Sequence, residues 1–314
     1  MKKPHLFWVI LSVCVFTTSL KSQPNFKNQS SERFLMQRLD SSLFIALDLN
    51  SGQWFHESKE VYTYSGTVPA EHYTYLNKVQ GQWSLAFKQV YAFDCFERLN
   101  SIISYKWIDA TSQWMEEYKQ EYTYDSTARL MEILNYEKNA NQWEKHMKSI
   151  YSYSAAGNNT EILWYYHFMG QWNEVYKSVK EYDANDNLIN ERIYSRTGQN
   201  QWEGITWHEF AYNNNGQLTE QINHEWEPLN NQWVMKYKEE NVYDTNGNKA
   251  QILSYEWINN TWKPLGKMEY AYDNSYLFID LILPHLASET DFKHKQLHMK
   301  EYIWDDSTSS WVFG

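Results

Sequence analysis

The chain has 314 residues, a formal net charge of −11 and a high aromatic content of 18%. Disordered chains are poor in aromatic residues, and collagen-like chains need far more Gly and Pro than the 11 Gly and 6 Pro found here. Beyond the first residues, no cluster of Lys and Arg accompanies the acidic charge, which argues against nucleic acid as a partner.

Residues 1–22 have the pattern of a secretory signal peptide. Lys2 and Lys3 supply the charged start, an apolar stretch follows to Leu20, and Ser22 is a small residue at which cleavage can occur. The apolar stretch is shorter than the roughly 20 residues that a spanning helix needs. We therefore expect a cleaved signal, no integral membrane segment after cleavage, and a mature protein that is secreted or held at the outer cell surface.

A repeat organises most of the remaining chain. Eight Trp residues, each called here the leading Trp of its repeat, are separated by 29 to 31 residues, and an aromatic residue stands ten positions after every one of them. Such a period is typical of architectures in which one supersecondary unit recurs. The leading Trp residues are Trp54, Trp83, Trp114, Trp143, Trp172, Trp202, Trp233 and Trp262.

Residue types alternate after each leading Trp, which predicts a strand. Aromatic or apolar residues recur four, eight and ten positions after the Trp, whereas Lys recurs five positions after it. Even offsets share one face of an unbroken strand, so we expect the aromatic residues on one face and Lys on the other. Three residues break the pattern: Lys180 and Asn241 at offset eight, and Trp207 at offset five.

A turn and a second strand complete each repeat. Asp, Ser or Asn follows the aromatic residue at offset ten, and Gly157, Gly216 and Gly247 stand three residues further on, as in turns that need an Asx side chain and a positive φ. The second strand carries a recurrent Tyr, such as Tyr105, which His224 replaces once. We therefore predict an all-β fold of tandem antiparallel β-hairpin repeats, forming a long curled meander sheet, shell or spiral.

The repeat pattern divides the chain into four parts. The signal peptide (1–22) is followed by a polar linker (23–37), the β-hairpin repeat array (38–276) and an atypical C-terminal repeat or cap (277–314). Repeat arrays commonly use an altered terminal unit as a cap. The last strand is either a truncated edge or the start of a further segment.

The aromatic-x-aromatic-Asp unit, followed by a turn and a Leu, resembles the YD-type repeat of Rhs and teneurin shells. The best copies are Tyr91–Leu99, Tyr122–Leu130 and Phe210–Leu218. The present unit is longer and begins with Gln-Trp, and it is similar to aromatic-rich hairpin-repeat proteins that Bacteroidetes export. That resemblance implies an extracellular or surface protein of unassigned activity. Such proteins commonly end in a type IX secretion sorting domain, which is not visible in this sequence.

The sequence contains no motif that predicts a metal site or a catalytic site. Asp183, Asn185 and Asn187 alternate as at the start of a calcium loop, but Leu188 and Tyr194 stand where an EF-hand needs Gly and Glu. We interpret the Asx residues as turn formers. No nucleophile, phosphate-binding or cofactor motif is present, so we expect no enzyme activity, no cofactor and no metal.

The aromatic residues are the remaining candidates for binding. Trp and Tyr rings stack on sugars, but their regular placement favours packing in a core. Three Trp residues near strand ends, Trp107, Trp226 and Trp257, are the candidate exposed ligand-binding residues.

We expect a non-enzymatic secreted or cell-surface repeat protein that acts through binding or display. Its partner would be an unidentified protein or a glycan at the cell surface. One alternative is a carbohydrate-binding module that uses exposed Trp and Tyr. Another is an outer-membrane β-barrel, whose strands alternate in the same way, although such barrels confine aromatic residues to two girdles.

Overall fold

The computed structural model describes residues 37–38, 40–48, 53–66, 68–79, 82–198, 201–277, 281–282 and 293–313. The predicted signal peptide, and all of the predicted linker except Gln37, lie outside these residues. Within the described part of the chain, no helix has the length and hydropathy that a membrane crossing requires.

The described residues form strands joined by tight turns and short loops. In chain order the strands are β1 (Gln37–Arg38), β2 (Ser41–Asp48), β3 (Gln53–Ser65), β4 (Val68–Val79), β5 (Gln82–Phe93), β6 (Leu99–Ile108), β7 (Gln113–Tyr124), β8 (Leu130–Asn139), β9 (Gln142–Tyr153), β10 (Asn159–Phe168), β11 (Gln171–Tyr182), β12 (Leu188–Arg196), β13 (Trp202–Tyr212), β14 (Leu218–Glu227), β15 (Gln232–Tyr243), β16 (Lys249–Ile258), β17 (Thr261–Leu277), β18 (Leu281–Ile282), β19 (His294–Asp305) and β20 (Ser310–Phe313).

The strands from β2 to β17 pair antiparallel with their sequence neighbours, and the same sheet continues through β19 to β20. The short strands β1 and β18 form a separate parallel pair. Among the described strands, β2 and β20 each pair on one side alone, so the sheet is open at both edges. This order confirms the predicted hairpin meander.

The described residues form a sheet of a single layer. Extensive contacts join only strands that are neighbours within it, whereas most domains cover a sheet with a second layer. Both of its broad faces therefore carry side chains that pack mainly against others on the same face.

A β-bulge in each first strand moves the leading Trp away from the other aromatic residues. In β7, Glu116 pairs with Tyr105 and Tyr118 pairs with Ser104, so Glu117 between them has no partner. The same shift occurs three residues after every leading Trp from β3 to β17. The extra residue reverses the alternation of faces, so the expectation that the Trp shares a face with the later aromatic residues is wrong.

The two faces therefore have different contents from those expected. The tryptophan face carries the leading Trp, the Lys at offset five and the recurrent Tyr of the second strand, as Trp114, Lys119 and Tyr105 do. The tyrosine face carries the aromatic residues at offsets four, eight and ten, together with Leu and Ile of the second strands.

The buried core lies on the tyrosine face, near the turns. Leu130, Tyr151 and Ile162 form one buried cluster, and the other is formed by Tyr91, Leu99 and Ile102. Burying a Leu or Ile side chain contributes about 1.5–3 kcal/mol, so these clusters are the main apolar support of the sheet among the described residues.

The Tyr at offset ten ties each hairpin to the one before it. Its hydroxyl donates a hydrogen bond, 2.6–2.9 Å long, to the carbonyl of the first residue in the preceding second strand. This bond occurs from Tyr124 to Leu99, Tyr153 to Leu130, Tyr182 to Asn159, Tyr212 to Leu188, Tyr243 to Leu218 and Tyr272 to Lys249.

The turns form as the sequence predicts. The Asp125 carboxylate accepts hydrogen bonds from the backbone N–H groups of Thr127 and Arg129, and it is paired with the Arg129 guanidinium at 2.7 Å. Asp183 accepts from the N–H groups of Asn185 and Asn187 in the same way, so its oxygens are used within the turn. These bonds lower the pKa of Asp183 below its usual value.

Candidate binding surfaces

The three predicted Trp residues lie on the tryptophan face, where each packs edge-on against the leading Trp of the next hairpin. The ring centroids are 5.1 Å apart for Trp107 and Trp114, and 5.1 Å for Trp226 and Trp233. Trp257 lies 4.8 Å from its partner in the same arrangement. All of these rings are half-buried, and edge-to-face pairs of this kind stabilise a fold.

In the described part of the chain, five of the leading Trp residues also belong to a clasp around a Lys. The Lys119 ammonium lies 4.1 Å from the Tyr136 ring centroid and 5.6 Å from that of Trp143. A cation over an aromatic ring contributes about 0.5–2 kcal/mol, depending on its burial. The same clasp is formed by Lys88, Lys148, Lys177, Lys238 and Lys267.

A carboxylate completes the clasp. Glu121 accepts a hydrogen bond from Lys119 at 2.8 Å and another from the Tyr136 hydroxyl at 2.7 Å. Burial opposes ionisation of Glu121, but the bonds from Lys119 and Tyr136 outweigh it and lower its pKa. Burial and the bond to Glu121 raise the pKa of Tyr136 to about 12. The cations and rings of the tryptophan face are therefore used to hold neighbouring hairpins together.

Two of the exceptions to the repeat pattern compensate for each other on this face. Trp207 takes the place of the Lys, His224 takes the place of the Tyr, and the two residues pair across β13 and β14. Their rings stack with centroids 4.3 Å apart. The Trp233 ring lies over Gly204, where any Cβ atom would come within 2.7 Å of it. The Trp207–His224 stack thus replaces the Lys clasp here, with the Arg192 guanidinium 4.8 Å from the Trp207 ring centroid.

The tyrosine face contains a further exception, which is a buried ion pair. Lys180 and Glu191 are 5% and 4% exposed, with Nζ and Oε1 3.8 Å apart. The Ser178 hydroxyl donates a hydrogen bond of 2.7 Å to Glu191. Burial lowers the pKa of Lys180 despite the nearby carboxylate. The pair occupies the place that Tyr151 and Ile162 fill in the preceding hairpin.

Toward the loops, the tyrosine face exposes large rings that sequence reasoning assigned to a buried face. We call Phe87, Tyr118, Tyr166, Tyr176 and Tyr237 the exposed row. They are 46%, 48%, 39%, 44% and 43% exposed, respectively. Four of them stand at offset four, and Tyr166 pairs with Met147, which occupies the same offset in β9.

Strand register places the row on one face. Phe87 pairs with Lys106, Tyr118 pairs with Ser104, and Lys106 and Ser104 are two residues apart on β6. The same relation continues from β7 through β11 to β15. Two strand spacings of about 4.8 Å and a two-residue stagger of about 6.6 Å put neighbouring offset-four residues roughly 12 Å apart. On β13 the offset-four position holds Thr206, which has no ring. The next offset-four position, on β15, holds Tyr237.

Polar residues separate the rings of the row. Asn135 and Glu137 lie on β8 between Tyr118 and Met147. Tyr237 pairs with Asn223 on one side and with Glu256 on the other. Burial and the charges of Glu256 and Glu225 raise the pKa of Tyr237. The surface combines exposed rings with amide and carboxylate groups. Among the described residues, no group of three His, Cys, Asp or Glu is arranged to hold a metal.

Comparison with known proteins identifies no family. No family model matches the chain, and no curated protein matches it. Solved structures to which it is similar include a protein of unknown function from Bacteroides fragilis, with 15% identity and a TM-score of 0.27 over 48% of this chain and 89% of that one. A porin-like protein from Bacteroides uniformis has 9% identity and a TM-score of 0.39 over 81% and 91%.

A third structure, TcdB2-TccC3, has 13% identity and a TM-score of 0.29 over 82% of this chain and 16% of that one. With identities and TM-scores this low, these similarities carry no argument about function. The function must therefore be argued from the surfaces of this sheet.

Proposed function

We propose that the chain is an exported, non-enzymatic binding protein and that the exposed row is its binding surface. Exposed apolar residues that occur singly need no explanation, but the exposed row recurs at one position of the repeat and forms a line across the strands. The observation that carries the proposal is the repeated exposure of the ring at offset four, on a face whose aromatic residues near the turns are buried or half-buried.

The tryptophan face suits this role less well. Its Lys, Tyr and Glu groups are engaged with one another, and Trp107, Trp226 and Trp257 are engaged with neighbouring Trp rings. A ligand there would have to displace contacts that join the hairpins. Binding at the row on the tyrosine face displaces fewer contacts, because its rings are 39–48% exposed, although Tyr166 contacts the His146 and Phe168 rings.

The cellular setting and the absence of catalysis complete the proposal. Residues 1–22 carry the export pattern, and the resemblance to exported Bacteroidetes hairpin-repeat proteins suits secretion or display at the cell surface. The buried pair of Lys180 and Glu191 lies within the packing of the sheet, where a substrate would have no access.

Removal of the row tests the proposal. A triple variant with Tyr118→Ser, Tyr176→Ser and Tyr237→Ser is compared with the full chain for retention on insoluble polysaccharides and on bacterial cell-envelope fragments. The control variant carries Phe96→Ser, Leu229→Ser and Val242→Ser, which remove exposed apolar residues elsewhere.

We expect the full chain and the control to be retained on at least one of these materials. The triple variant should be lost from it, with an unchanged unfolding transition. Equal retention of the triple variant, or no retention of the full chain on any material, would contradict the proposed function.

A further inference from the structure

We infer that the ligand of the exposed row is a neutral, unbranched glycan that lies across the strands with its sugar faces against the exposed rings. This inference rests on the proposed function and names the ligand class of the same surface. Its support comes from the shape of the row, from the polar groups beside it and from its charge.

The shape of the row matches a linear polymer. The offset-four positions recur at roughly 12 Å over successive hairpins, and rings stand at or beside these positions on the four hairpins from Phe87 to Tyr176, with Tyr166 opposite Met147 on the third. Among the described residues, no second layer of strands covers this line. A globular partner is usually recognised by a compact patch of residues. A line of similar rings, by contrast, can make the same contact repeatedly with the similar units of a linear polymer. Aromatic rings offer each sugar a flat apolar surface and, in Tyr, a polar edge.

The polar neighbours suit a ligand that is rich in hydroxyl groups. Asn135, Ser195 and Asn223 stand directly across from members of the row or beside them. Asn and Ser side chains both donate and accept hydrogen bonds, as sugar hydroxyl groups do.

The charge beside the row disfavours an acidic ligand. Glu137, Glu225 and Glu256 border the row, whereas the cations beside it are Lys106, which pairs with Phe87 at its start, and Lys236, whose Nζ atom lies 3.9 Å from Glu225. The whole chain carries a formal charge of −11. Like charges across an interface oppose binding, so polyuronates and nucleic acids should be rejected in favour of neutral chains.

The length of the row predicts how affinity depends on ligand length. The platforms from Phe87 to Tyr176 lie on consecutive hairpins, and Thr206 interrupts them before Tyr237. A disaccharide reaches one platform, and a longer oligomer reaches several, so successive contacts form within one complex. Affinity should therefore rise with oligomer length and then level off once the uninterrupted part of the row is covered.

Calorimetric titration of the full chain tests the inference. The probes are unbranched neutral oligomers of glucose, mannose and N-acetylglucosamine in graded lengths, with oligogalacturonate as the anionic probe. For at least one neutral series we expect the Kd to fall at least about tenfold from the disaccharide to the longest oligomer. Tyr118→Ser should raise the Kd of the longest oligomer about tenfold, or about 1.4 kcal/mol. Val242→Ser, on the tryptophan face, should leave it unchanged.

The outcomes separate this inference from the proposed function. Tyrosine-dependent retention on envelope fragments that protease treatment abolishes, without binding of any neutral glycan, would overturn the glycan and keep the binding role. Preferential binding of oligogalacturonate, or a Kd that does not change with oligomer length, would also overturn it. Failure of the triple variant to differ from the full chain on any material would overturn both.

Discussion

The two faces of this sheet carry similar residues and use them differently. On the tryptophan face, Lys119 lies between Tyr136 and Trp143, and Glu121 neutralises it, so each group has its partners within the sheet. On the tyrosine face, the rings near the turns are buried or half-buried, whereas the rings of the exposed row are 39–48% exposed. A single-layer sheet must be stabilised by contacts along its own surface, and the described part of this sheet leaves a line of rings largely exposed.

The largest expected effect concerns the buried end of the tyrosine face. Lys180→Met should lower the free energy of unfolding by about 3–5 kcal/mol, because Glu191 would be left buried without its cation. The double variant Lys180→Tyr with Glu191→Ile restores the Tyr–Ile pair of the preceding hairpin and should regain at least the stability of the natural chain. Urea unfolding measures both. A single variant as stable as the natural chain would show that the pair contributes nothing to packing.

A smaller effect should separate hydrogen-bonded, half-buried tyrosines from exposed tyrosines on the same face. Tyr153→Phe removes the hydroxyl that donates to the Leu130 carbonyl at 2.6 Å and should cost about 1 kcal/mol. Tyr118→Phe removes a hydroxyl from the exposed row, and we expect a change within about 0.5 kcal/mol. Thermal and urea unfolding of the two variants provide the comparison, and equal losses would place the row within the packed part of the face.

Much of the fold can be predicted from the sequence because the same residue pattern recurs eight times. The Gln-Trp starts, the Asx turns and the alternation of residue types mark the strands and hairpins that the structure contains. The assignment of faces failed for a physical reason: an unpaired residue three positions after each Trp reverses the alternation. The bulged residues are as different as Glu117, Val175 and Lys236, so their types give no signal.

The candidate surface was harder to predict than the fold. Aromatic residues at offset four are visible in the sequence, but their exposure depends on the face and on the absence of a second layer, and neither follows from spacing. The three Trp residues expected to be exposed are packed against other Trp rings instead. Their pairing across a short loop could have been recognised, because Trp107 and Trp114 flank one loop and Trp226 and Trp233 flank another.

The division between the faces is tested most directly on β11, where Trp172 and Tyr176 lie four residues apart on opposite faces. Trp172 contacts the His167 ring at 4.8 Å and the Lys148 ammonium at 4.9 Å, whereas Tyr176 belongs to the exposed row. Urea unfolding should show that Trp172→Ser loses about 2–3 kcal/mol and that Tyr176→Ser stays within about 0.5 kcal/mol of the natural chain. Equal losses, or a larger loss for Tyr176→Ser, would contradict the assignment of one face to stability and of the exposed row to binding.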